Sequence, residues 1–334
     1  MSEAAVHEHD VDVSPSAAAL HEVVEGVFAW VQPDGSWWIN NAGAVASGGV
    51  ATGDPAGAGA GTVVIDTCAT EQRTRRFLDA VAAATGGAPI HVAANTHHHG
   101  DHTYGNSLLP SSTVLVGHEA MRAELLADTI IDGCPPVWEP VPDWGAVTRR
   151  VPDVVVRTGL TVFAGARRVD LVHPGHTAHT VGDLVAWLPE ERVLFSGDLI
   201  FHGLTPLVFM GSVEGALRSL AWLASFQPEH LVPGHGPLVA GAQLADVLDA
   251  HERYYRFVLA TAEGGHTDGI GPLEAAQRCD LGEFADWDDA ERLVLNLHRA
   301  YADAEGREMD LVQSMVDAMT WNGGPLTTHV CCGT

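Results

Sequence analysis

Short apolar runs, each closed by a polar or glycine-containing turn, recur along the first 240 residues. Such a run is typical of a β-strand, above all where β-branched residues are frequent. The pattern predicts strands at Val23–Val31, Ser36–Asn40, Thr62–Asp66, Ile90–Ala94, Thr113–Val116, Val154–Val156, Leu160–Phe163, Arg168–Val172, Leu184–Leu188, Arg192–Phe195 and Leu231–Val232. The turn at residues 32–35 joins the first two of these strands in a predicted hairpin.

Amphipathic stretches separate several of these strands. Thr70 can cap a helix that runs to about Ala84, because a threonine side chain can accept a hydrogen bond from the first helical turn. Residues 118–127 form a second predicted helix, and Ser212 can cap a third that runs to about Phe226. Strands that alternate with helices in this way predict an α/β fold.

From residue 243 onward the apolar positions recur with the period of a helix. The predicted helices cover residues 243–262, 272–280, 286–304 and 309–319. Asp286 and Asp289 are interpreted as the cap and first-turn acid pair of the third helix. The pattern divides the chain into a disordered N-terminus (1–17), a mixed α/β domain (18–242) and a C-terminal helical extension (243–334).

Two segments of the α/β domain show no strand or helix period. Residues 42–61 consist largely of glycine, alanine, serine and threonine, which predicts a flexible loop. Residues 132–152 contain five prolines, which predicts a segment without regular structure.

Composition limits the classes of partner. Of the 334 residues, 46% are hydrophobic and 18% are charged, as in a globular protein. Lys and Arg total 17 against 43 Asp and Glu, so the formal net charge is −26. We expect neither nucleic acid nor an anionic membrane to bind this chain through general electrostatics.

The cysteines and the chain ends bear on the compartment. Five scattered cysteines argue against a disulfide framework, and the pair Cys331-Cys332 is interpreted as part of a frayed tail. Residues 1–16 lack the basic start and apolar core of a signal peptide, and no apolar run is long enough for a membrane helix. We expect a cytoplasmic protein.

Candidate chemistry is concentrated in residues 96–106, directly after a predicted strand. His97 and His99 are two positions apart, so an extended backbone points both side chains the same way. Asp101 and His102 follow a glycine at which the chain can turn. Imidazole and carboxylate together suit zinc, iron or manganese, and the two pairs can serve two metals about 3.5–4 Å apart. His98 is expected to point away and to have a structural or supporting role.

Three further loops place histidine or aspartate at the end of an apolar strand. They are residues 173–183, which contain His173, His176 and His179, residues 196–198, which end in Asp198, and residues 233–236, which contain His235. The strand ends of a parallel or mixed sheet meet at one edge, where sites form. We therefore expect these loops to join the first stretch in one constellation.

With these residues in view, the chain resembles the metallo-β-lactamase-fold hydrolases, and among them an uncharacterised, SoxH-like group. The resemblance rests on the His-x-His-x-Asp-His signature and on the downstream His, Asp and His in the expected order, and it covers about residues 20–240. It implies a four-layer αββα sandwich, with residues 18–242 as the catalytic domain and a C-terminal helical extension. Of the two histidines that precede a threonine in the third loop, His179 fits the family's following run better than His176.

The resemblance also implies a set of metal ligands. Metal 1 takes His97, His99 and His179, metal 2 takes Asp101, His102 and His235, and Asp198 bridges both. The cofactors expected are two Zn²⁺ ions, although iron and manganese also suit these donors. A hydroxide shared by the metals would attack an ester, thioester, lactone or amide bond of a small molecule, and Asp101 would carry protons.

Other residues receive less specific predictions. Substrate contacts are expected from Trp37, Trp38, Phe201 and His202, although packing is a competing interpretation for each tryptophan. Asp66 can orient a ligand histidine or can merely cap a turn. The C-terminal helices could cover the site or form the interface of a homodimer.

Departures from known members limit the reaction. Asp198 stands where subclass B1 and B2 β-lactamases have a cysteine, and subclass B3 enzymes lack the bridging aspartate, so β-lactamase activity is not expected. Leu199, Ile200 and Phe201 stand where quorum-lactone hydrolases have a tyrosine. Glyoxalase II-type thioesterases end in a helical domain with basic residues for glutathione, whereas the C-terminal region here is acidic with scattered arginines only, which counts against that substrate. Two alternatives remain open: a mononuclear non-haem iron oxygenase or sulfur-metabolism enzyme, and a biosynthetic cyclase or lyase.

Overall fold

A computed structural model describes residues 18–32, 35–47 and 61–330. Strands within these ranges are β1 (Ala19–Val24), β2 (Val27–Val31), β3 (Ala42–Val45), β4 (Thr62–Ile65), β5 (Ile90–Ala94), β6 (Val114–His118), β7 (Trp138–Glu139), β8 (Val154–Val156), β9 (Gly159–Ala164), β10 (Arg167–Val172), β11 (Val185–Leu188), β12 (Val193–Phe201), β13 (His230–His235), β14 (Val239–Ala240) and β15 (Leu326–Thr327). The α-helices are α1 (Glu71–Ala84), α2 (Gly100–Thr103), α3 (Glu119–Ala127), α4 (Val213–Ser225), α5 (Leu244–Asp268), α6 (Pro272–Arg278), α7 (Arg292–Glu305) and α8 (Leu311–Asn322).

Two large sheets form the centre of the fold. The first has the strand order β1-β2-β3-β4-β5-β6-β8, and its neighbours are antiparallel from β1 to β4 and parallel from β4 to β8. The second has the order β14-β13-β12-β11-β10-β9, with β12 and β13 parallel. The first ligand-bearing loop follows β5 of the first sheet. In the second sheet Asp198 lies within β12, which continues to Phe201 instead of ending before the aspartate as predicted, and His235 is the last residue of β13. These parts of the two sheets meet where the sheets face each other.

Three apolar clusters define the layers. Val63 and Ile65 of the first sheet pack with Phe195 and Val232 of the second, which seals the two sheets face to face. A second cluster joins the outer face of the first sheet to α1, and a third joins the outer face of the second sheet to α4, α5 and α7. The predicted α/β fold, a four-layer αββα sandwich with a C-terminal helical region, is confirmed.

Local capping follows the sequence at two helices. The Thr70 side chain accepts a hydrogen bond from the Arg73 N–H at the start of α1, and the Ser212 side chain accepts one from the Gly215 N–H at the start of α4. Both predicted caps are confirmed, because a side-chain oxygen there satisfies an N–H that has no partner within the helix.

Several predicted elements are wrong near the first hairpin. Val23–Val31 is two strands, because the chain turns at Gly26, where φ is +71°. Residues 36–40 form a turn instead of the returning strand, and that strand is β3, inside the segment predicted as a flexible loop. Residues 48–60 of that loop, the N-terminal residues 1–17 and the pair Cys331-Cys332 lie outside the described residues.

Two further boundaries differ from prediction. The proline-rich segment 132–152 contains β7, which pairs in parallel with β15 near the C-terminus. The third C-terminal helix begins at Arg292 and not at residue 286. Asp289 does not cap it through its side chain, because its carboxylate contacts Arg292 at 2.6 Å and accepts a hydrogen bond from Ser36.

The C-terminal helices share one apolar cluster with α4 and with residues that follow β12. The division of the chain at residue 242 therefore stays a prediction. In the described part of the chain, no helix has both the length and the apolar character needed to cross a bilayer.

Candidate metal centre

The loop after β5 supplies four of the candidate ligands. It carries His97 in a bend and His99 in extended backbone, and it then enters the one-turn helix α2, which carries Asp101 and His102. Gly100 makes this turn feasible, because a β-carbon there would lie 2.3 Å from the Tyr104 ring. The sequence order His-x-His-Gly-Asp-His is thereby converted into two neighbouring donor groups.

The first donor group consists only of histidines. The Nδ1 atom of His99 lies 3.1 Å from Nε2 of His97 and 2.9 Å from Nε2 of His179. His179 comes from the loop before β11, so two distant segments converge here. His176 lies elsewhere, with its Nε2 3.1 Å from the Gly215 carbonyl oxygen and from Ser219 Oγ.

The second donor group combines a carboxylate with histidines. Oδ2 of Asp101 lies 3.1 Å from Nε2 of His235 and 3.7 Å from Nε2 of His102. His235 is the last residue of β13 and thus comes from the second sheet. All three side chains are buried.

Asp198 of β12 lies between the two groups. Its Oδ2 is 3.4 Å from Nε2 of His179 in the first group and 3.2 Å from Nε2 of His235 in the second. Its Oδ1 is 3.0 Å from Nε2 of His102. Gly234 lets the carboxylate sit there, because a β-carbon at residue 234 would lie 1.9 Å from Oδ1.

Four of the five histidines are held through the nitrogen that faces away from the centre. Nδ1 of His97 lies 3.0 Å from Thr96 Oγ1, and Nδ1 of His102 lies 2.8 Å from Asp66 Oδ2. Nδ1–H of His179 and of His235 donates to a backbone carbonyl at 2.7 Å, that of Leu207 and of Gly35 respectively. These bonds fix the rings so that Nε2 points inward.

The donor atoms are arranged to coordinate metal ions and not to form hydrogen bonds with one another. Nε2 of His102 and Oδ1 of Asp198 are buried and lack a hydrogen-bond partner within the described residues, although they lie 3.0 Å apart. Buried polar atoms are normally hydrogen-bonded. Two such atoms, aimed at a common point without the geometry of a hydrogen bond, are arranged as two ligands of one cation. Groups of this composition suit zinc, iron or manganese.

The two groups differ in protonation. Burial holds the pKa of His97 well below its ordinary value, and the neighbouring His102 adds to this effect. Burial likewise lowers the pKa of His179 to about 4, against the attraction of Asp198. Burial opposes the charged form of His235 as well, but the carboxylates of Asp198 and Asp101 outweigh it and raise the pKa to about 9.

The predicted substrate contacts are placed unequally. Phe201 is buried and its ring stacks on His235, with centroids 5.0 Å apart, while His202 is half-buried and lies 2.9 Å from the Pro237 carbonyl oxygen. Trp37 and Trp38 are buried in an aromatic cluster, where Trp37 Nε1 donates to Glu291 at 2.6 Å and Trp38 packs 4.6 Å from Trp144. These contacts agree with packing of both tryptophans, and their role towards substrate stays a prediction.

Other predicted residues have identifiable surroundings. Asp66 accepts from the Thr96 N–H and hydroxyl as well as contacting His102, so it supports both the loop and a candidate ligand. His98 is buried beside His99, and neither of its ring nitrogens has a hydrogen-bond partner in the described ranges. His118 caps α3 and stacks on His173 at 4.3 Å, away from the candidate ligands.

Three groups that contact the candidate ligands were not predicted from the sequence. The Phe209 ring stacks on His99, with centroids 5.5 Å apart. The carbonyls of Leu207 and Gly35 hold two candidate ligands. Backbone carbonyls have no signature in sequence, whereas Phe209, an aromatic residue in the loop after β12, could have been considered.

A family model described as the metallo-beta-lactamase superfamily matches residues 56–235, more than half of the 334-residue chain. The hydroxyacylglutathione hydrolase of Methylococcus capsulatus is 31% identical over 186 residues, which are 52% of this chain and 60% of that protein. The alpha subunit of 2,4-dinitroanisole O-demethylase from Nocardioides sp. is 27% identical over 146 residues, 43% of this chain and 40% of that protein. The chain spans about half the length of the curated relatives it matches.

Solved structures show the same fold at low identity. A metallo-beta-lactamase from Pontibacter korlensis has a TM-score of 0.55 and 16% identity, and the match covers 72% of this chain and 99% of that one. The sec-alkylsulfatase Pisa1 from Pseudomonas sp. has a TM-score of 0.66 and 16% identity, with 89% of this chain and 51% of that one covered.

Proposed function

The chain belongs to the metallo-beta-lactamase superfamily, a group of metal-dependent hydrolases, and we propose that it hydrolyses a small molecule at a centre of two divalent cations. The first cation would be held by His97, His99 and His179, the second by Asp101, His102 and His235, with Asp198 shared between them. The observation that carries the proposal is the position of Asp198 between two groups that each already offer three donor side chains. A single-iron oxygenase would need only one such group.

Zinc is the cation that we propose for both positions. Imidazole and carboxylate donors suit it, and the superfamily's donor pattern is present without a gap. The carbonyl of Leu207 and the carboxylate of Asp66 accept from the outer nitrogens of ligand histidines, as is usual at zinc sites.

Two cations in this centre would lower the pKa of a water ligand towards neutrality and polarise the substrate oxygen. Asp101 is suited to carry the proton, because its carboxylate has two oxygens and only Oδ2 faces the second donor group. Burial opposes its ionisation, but His102 and His235 outweigh burial and lower its pKa, so the carboxylate is ionised at neutral pH and can accept a proton transiently. Asp101 can then release the proton to the leaving group.

The surroundings favour an uncharged substrate with a scissile ester, thioester, lactone or amide. The chain contains no lysine, and Arg292, which packs over the Phe201 ring at 5.4 Å, is paired with Asp289 at 2.6 Å. The charge of Arg292 is thus already paired, which disfavours a substrate as anionic as a glutathione thioester. The similarity to hydroxyacylglutathione hydrolases thus supports the bond type rather than the glutathione group.

A second candidate is cleavage of an aryl alkyl ether. The O-demethylase subunit that matches this chain supports it, and so do the aromatic rings of Phe201 and Phe209 against His235 and His99. A metal-activated water suits ether cleavage only where the leaving group is a stabilised phenolate.

The test couples metal analysis to a substrate panel. Protein purified without added metal should contain close to two zinc ions per chain and should hydrolyse at least one class in a panel of neutral esters, thioesters, lactones, amides and nitroaryl ethers. One iron per chain with oxygen uptake, or two zinc ions with product formed without gain of water, would contradict the proposal.

The matched control is His176→Ala. His176 lies in the same loop as His179, but its ring nitrogen contacts Gly215 and Ser219 instead of the centre. His179→Ala should lose metal and activity, whereas His176→Ala should keep both, and equal losses in the two variants would count against the ligand assignment.

A further inference from the structure

One side chain of the C-terminal helices contacts the loop that supports the first donor group. Asn296 lies on α7 and is 1% exposed. Its Oδ1 accepts from the Val208 N–H at 2.7 Å, and its Nδ2–H₂ donates to the Pro206 carbonyl at 2.7 Å and to the Tyr254 hydroxyl oxygen at 2.9 Å. The amide thus binds the backbone on both sides of a single residue, Leu207.

Leu207 is the residue whose carbonyl orients a candidate ligand. That carbonyl accepts from Nδ1–H of His179 at 2.7 Å, which directs Nε2 of the same ring towards His99 at 2.9 Å. The carbonyl direction depends on the two peptide planes next to Leu207, and these are the planes that Asn296 holds. A continuous chain of hydrogen bonds therefore runs from α7 to the first donor group.

We propose that Asn296 is a positioning residue for His179, so that the C-terminal helical region sets the geometry of the first cation site. The proposal rests on the proposed metal centre. Neither Asn296 nor its helix lies in residues 56–235, which carry the family match.

The chemistry of the position requires an amide. An asparagine side chain offers a donor and an acceptor from one rigid plane, which matches a carbonyl and an N–H two residues apart. Aspartate keeps the acceptor for Val208 but loses the donor for Pro206, and alanine loses both. Arg292, one turn earlier on α7, donates to the Thr205 carbonyl at 3.0 Å, so the helix contacts the same loop at two successive places.

Two variants and two controls test the proposal. Asn296→Ala removes both hydrogen bonds to the loop backbone, and Asn296→Asp removes only the one donated to Pro206. Tyr254→Phe removes only the third partner of Asn296. His298→Ala disturbs the other side of α7, where His298 contacts Asp317 of α8 at 2.8 Å.

The first measurement needs no metal. In the metal-free protein, NMR follows the exchange of the imidazole Nδ1–H protons of His179 and His235. His235 donates to Gly35 and serves as an internal reference. We expect at least about tenfold faster exchange for His179 in Asn296→Ala, a smaller increase in Asn296→Asp, and no change for His235 or in the two controls.

The second measurement is the affinity for Zn²⁺ alone, by competition with a chelator. The ion in the first group should bind about tenfold more weakly in Asn296→Ala, which is the smallest loss of metal affinity usual when a residue that supports a metal ligand is removed. The other ion should bind as in the unmodified protein. His298→Ala should leave both affinities unchanged even where it lowers the unfolding temperature.

The outcomes separate the two proposals. If Asn296→Ala unfolds at a lower temperature but leaves both the exchange rate and the first-ion affinity unchanged, Asn296 only packs and the inference is wrong. If the unmodified protein binds two ions and hydrolyses nothing, the proposed function falls and the inference stands on the two measurements. If it binds none, the proposed centre falls and the exchange rates alone decide the role of Asn296.

Discussion

The two donor groups both adjoin Asp198, yet the pKa values of their histidines are shifted in opposite directions. In the first, three imidazoles crowd together and burial keeps the pKa of His97 and His179 low. In the second, the carboxylates of Asp101 and Asp198 raise the pKa of His235 to about 9 despite burial. Although burial opposes it, the same carboxylates, with Asp66, also raise the pKa of His102 well above its ordinary value. Without metal, we therefore expect free donors in the first group at neutral pH, and in the second group protonated histidines whose protons a cation has to displace.

The groups also differ in what supports them. His179 in the first group is fixed by a loop carbonyl, and His102 in the second by the charged Asp66. A carboxylate behind an imidazole strengthens it as a ligand more than a neutral carbonyl does. In the proposed centre we therefore expect a cation to fill the first group before the second, and the second group to owe its affinity to its carboxylates.

The largest effect is expected where the groups meet. Asp198→Ala should release both ions and reduce activity by roughly a thousandfold or more, since the metals contribute several kcal/mol to catalysis. Metal analysis and initial rates measure the two losses. Asp170→Ala, a change in β10 at a carboxylate paired with Arg168, is the control. Two ions retained at ordinary affinity in Asp198→Ala would show that the groups do not share this residue.

Single-ligand variants should separate the groups. His179→Ala and His235→Ala should each bind one ion instead of two, with affinity for the lost ion at least about 100-fold lower, because losing a ligand exceeds losing its support. Chelator competition on each variant measures this. If either variant lost both ions together, the centre would be one cooperative unit and the comparison would be wrong.

Asp66→Asn should act on one group more than the other. We expect the second ion to bind about 10–100-fold more weakly, because Asp66 contacts His102 directly. The first ion should lose less, since Asp66 reaches His97 only through the hydroxyl of Thr96. Thr96→Val should reverse this order, and equal losses in both variants would remove the distinction between the two kinds of support.

The last effect is expected from pH. Below about pH 9 a proton has to leave His235 when the second cation binds, and the raised pKa of His102 means that a second proton has to leave that ring. As the pH is lowered, second-ion affinity should therefore fall by about tenfold per pH unit for each such proton. His179, with a pKa of about 4, is already free at neutral pH, so first-ion affinity should change little. Zinc titrations by calorimetry in buffers of different ionisation enthalpy count the protons released. Equal proton release at both steps would contradict the comparison.

The sequence predicted the side chains of the candidate centre but not the backbone groups that support them. His179, Asp198 and His235 could be placed in one constellation, because they lie in or next to apolar strands and match the family pattern. That Asp198 lies inside β12 and not at its end could not be predicted. The supporting carbonyls of Gly35 and Leu207 could not, because every residue has a carbonyl and only the folded backbone aims it.

Errors in the fold have a similar cause. Trp37 and Trp38 look like strand residues, yet Trp38 adopts a φ of +68° in a turn held by packing against Trp138 and Trp144. Asp286 and Asp289 have the spacing of a helix cap and its first-turn acid, but the Asp289 carboxylate contacts Ser36 and Arg292 and the helix begins only at Arg292. The contacts of Trp38 with Trp138 and Trp144 and of Asp289 with Ser36 join residues that are distant in sequence, and no local pattern reports them.

The close approach of Gly234 to Asp198 bears on how such a protein can be diversified. A β-carbon at residue 234 would lie 1.9 Å from the shared carboxylate oxygen, so even alanine would push that oxygen off its position. In a library that samples every residue around the centre, position 234 should return only the parental amino acid among active clones. New substrate ranges would have to arise from residues such as Phe209, which contacts a candidate ligand with its ring and leaves the backbone beneath the cations untouched.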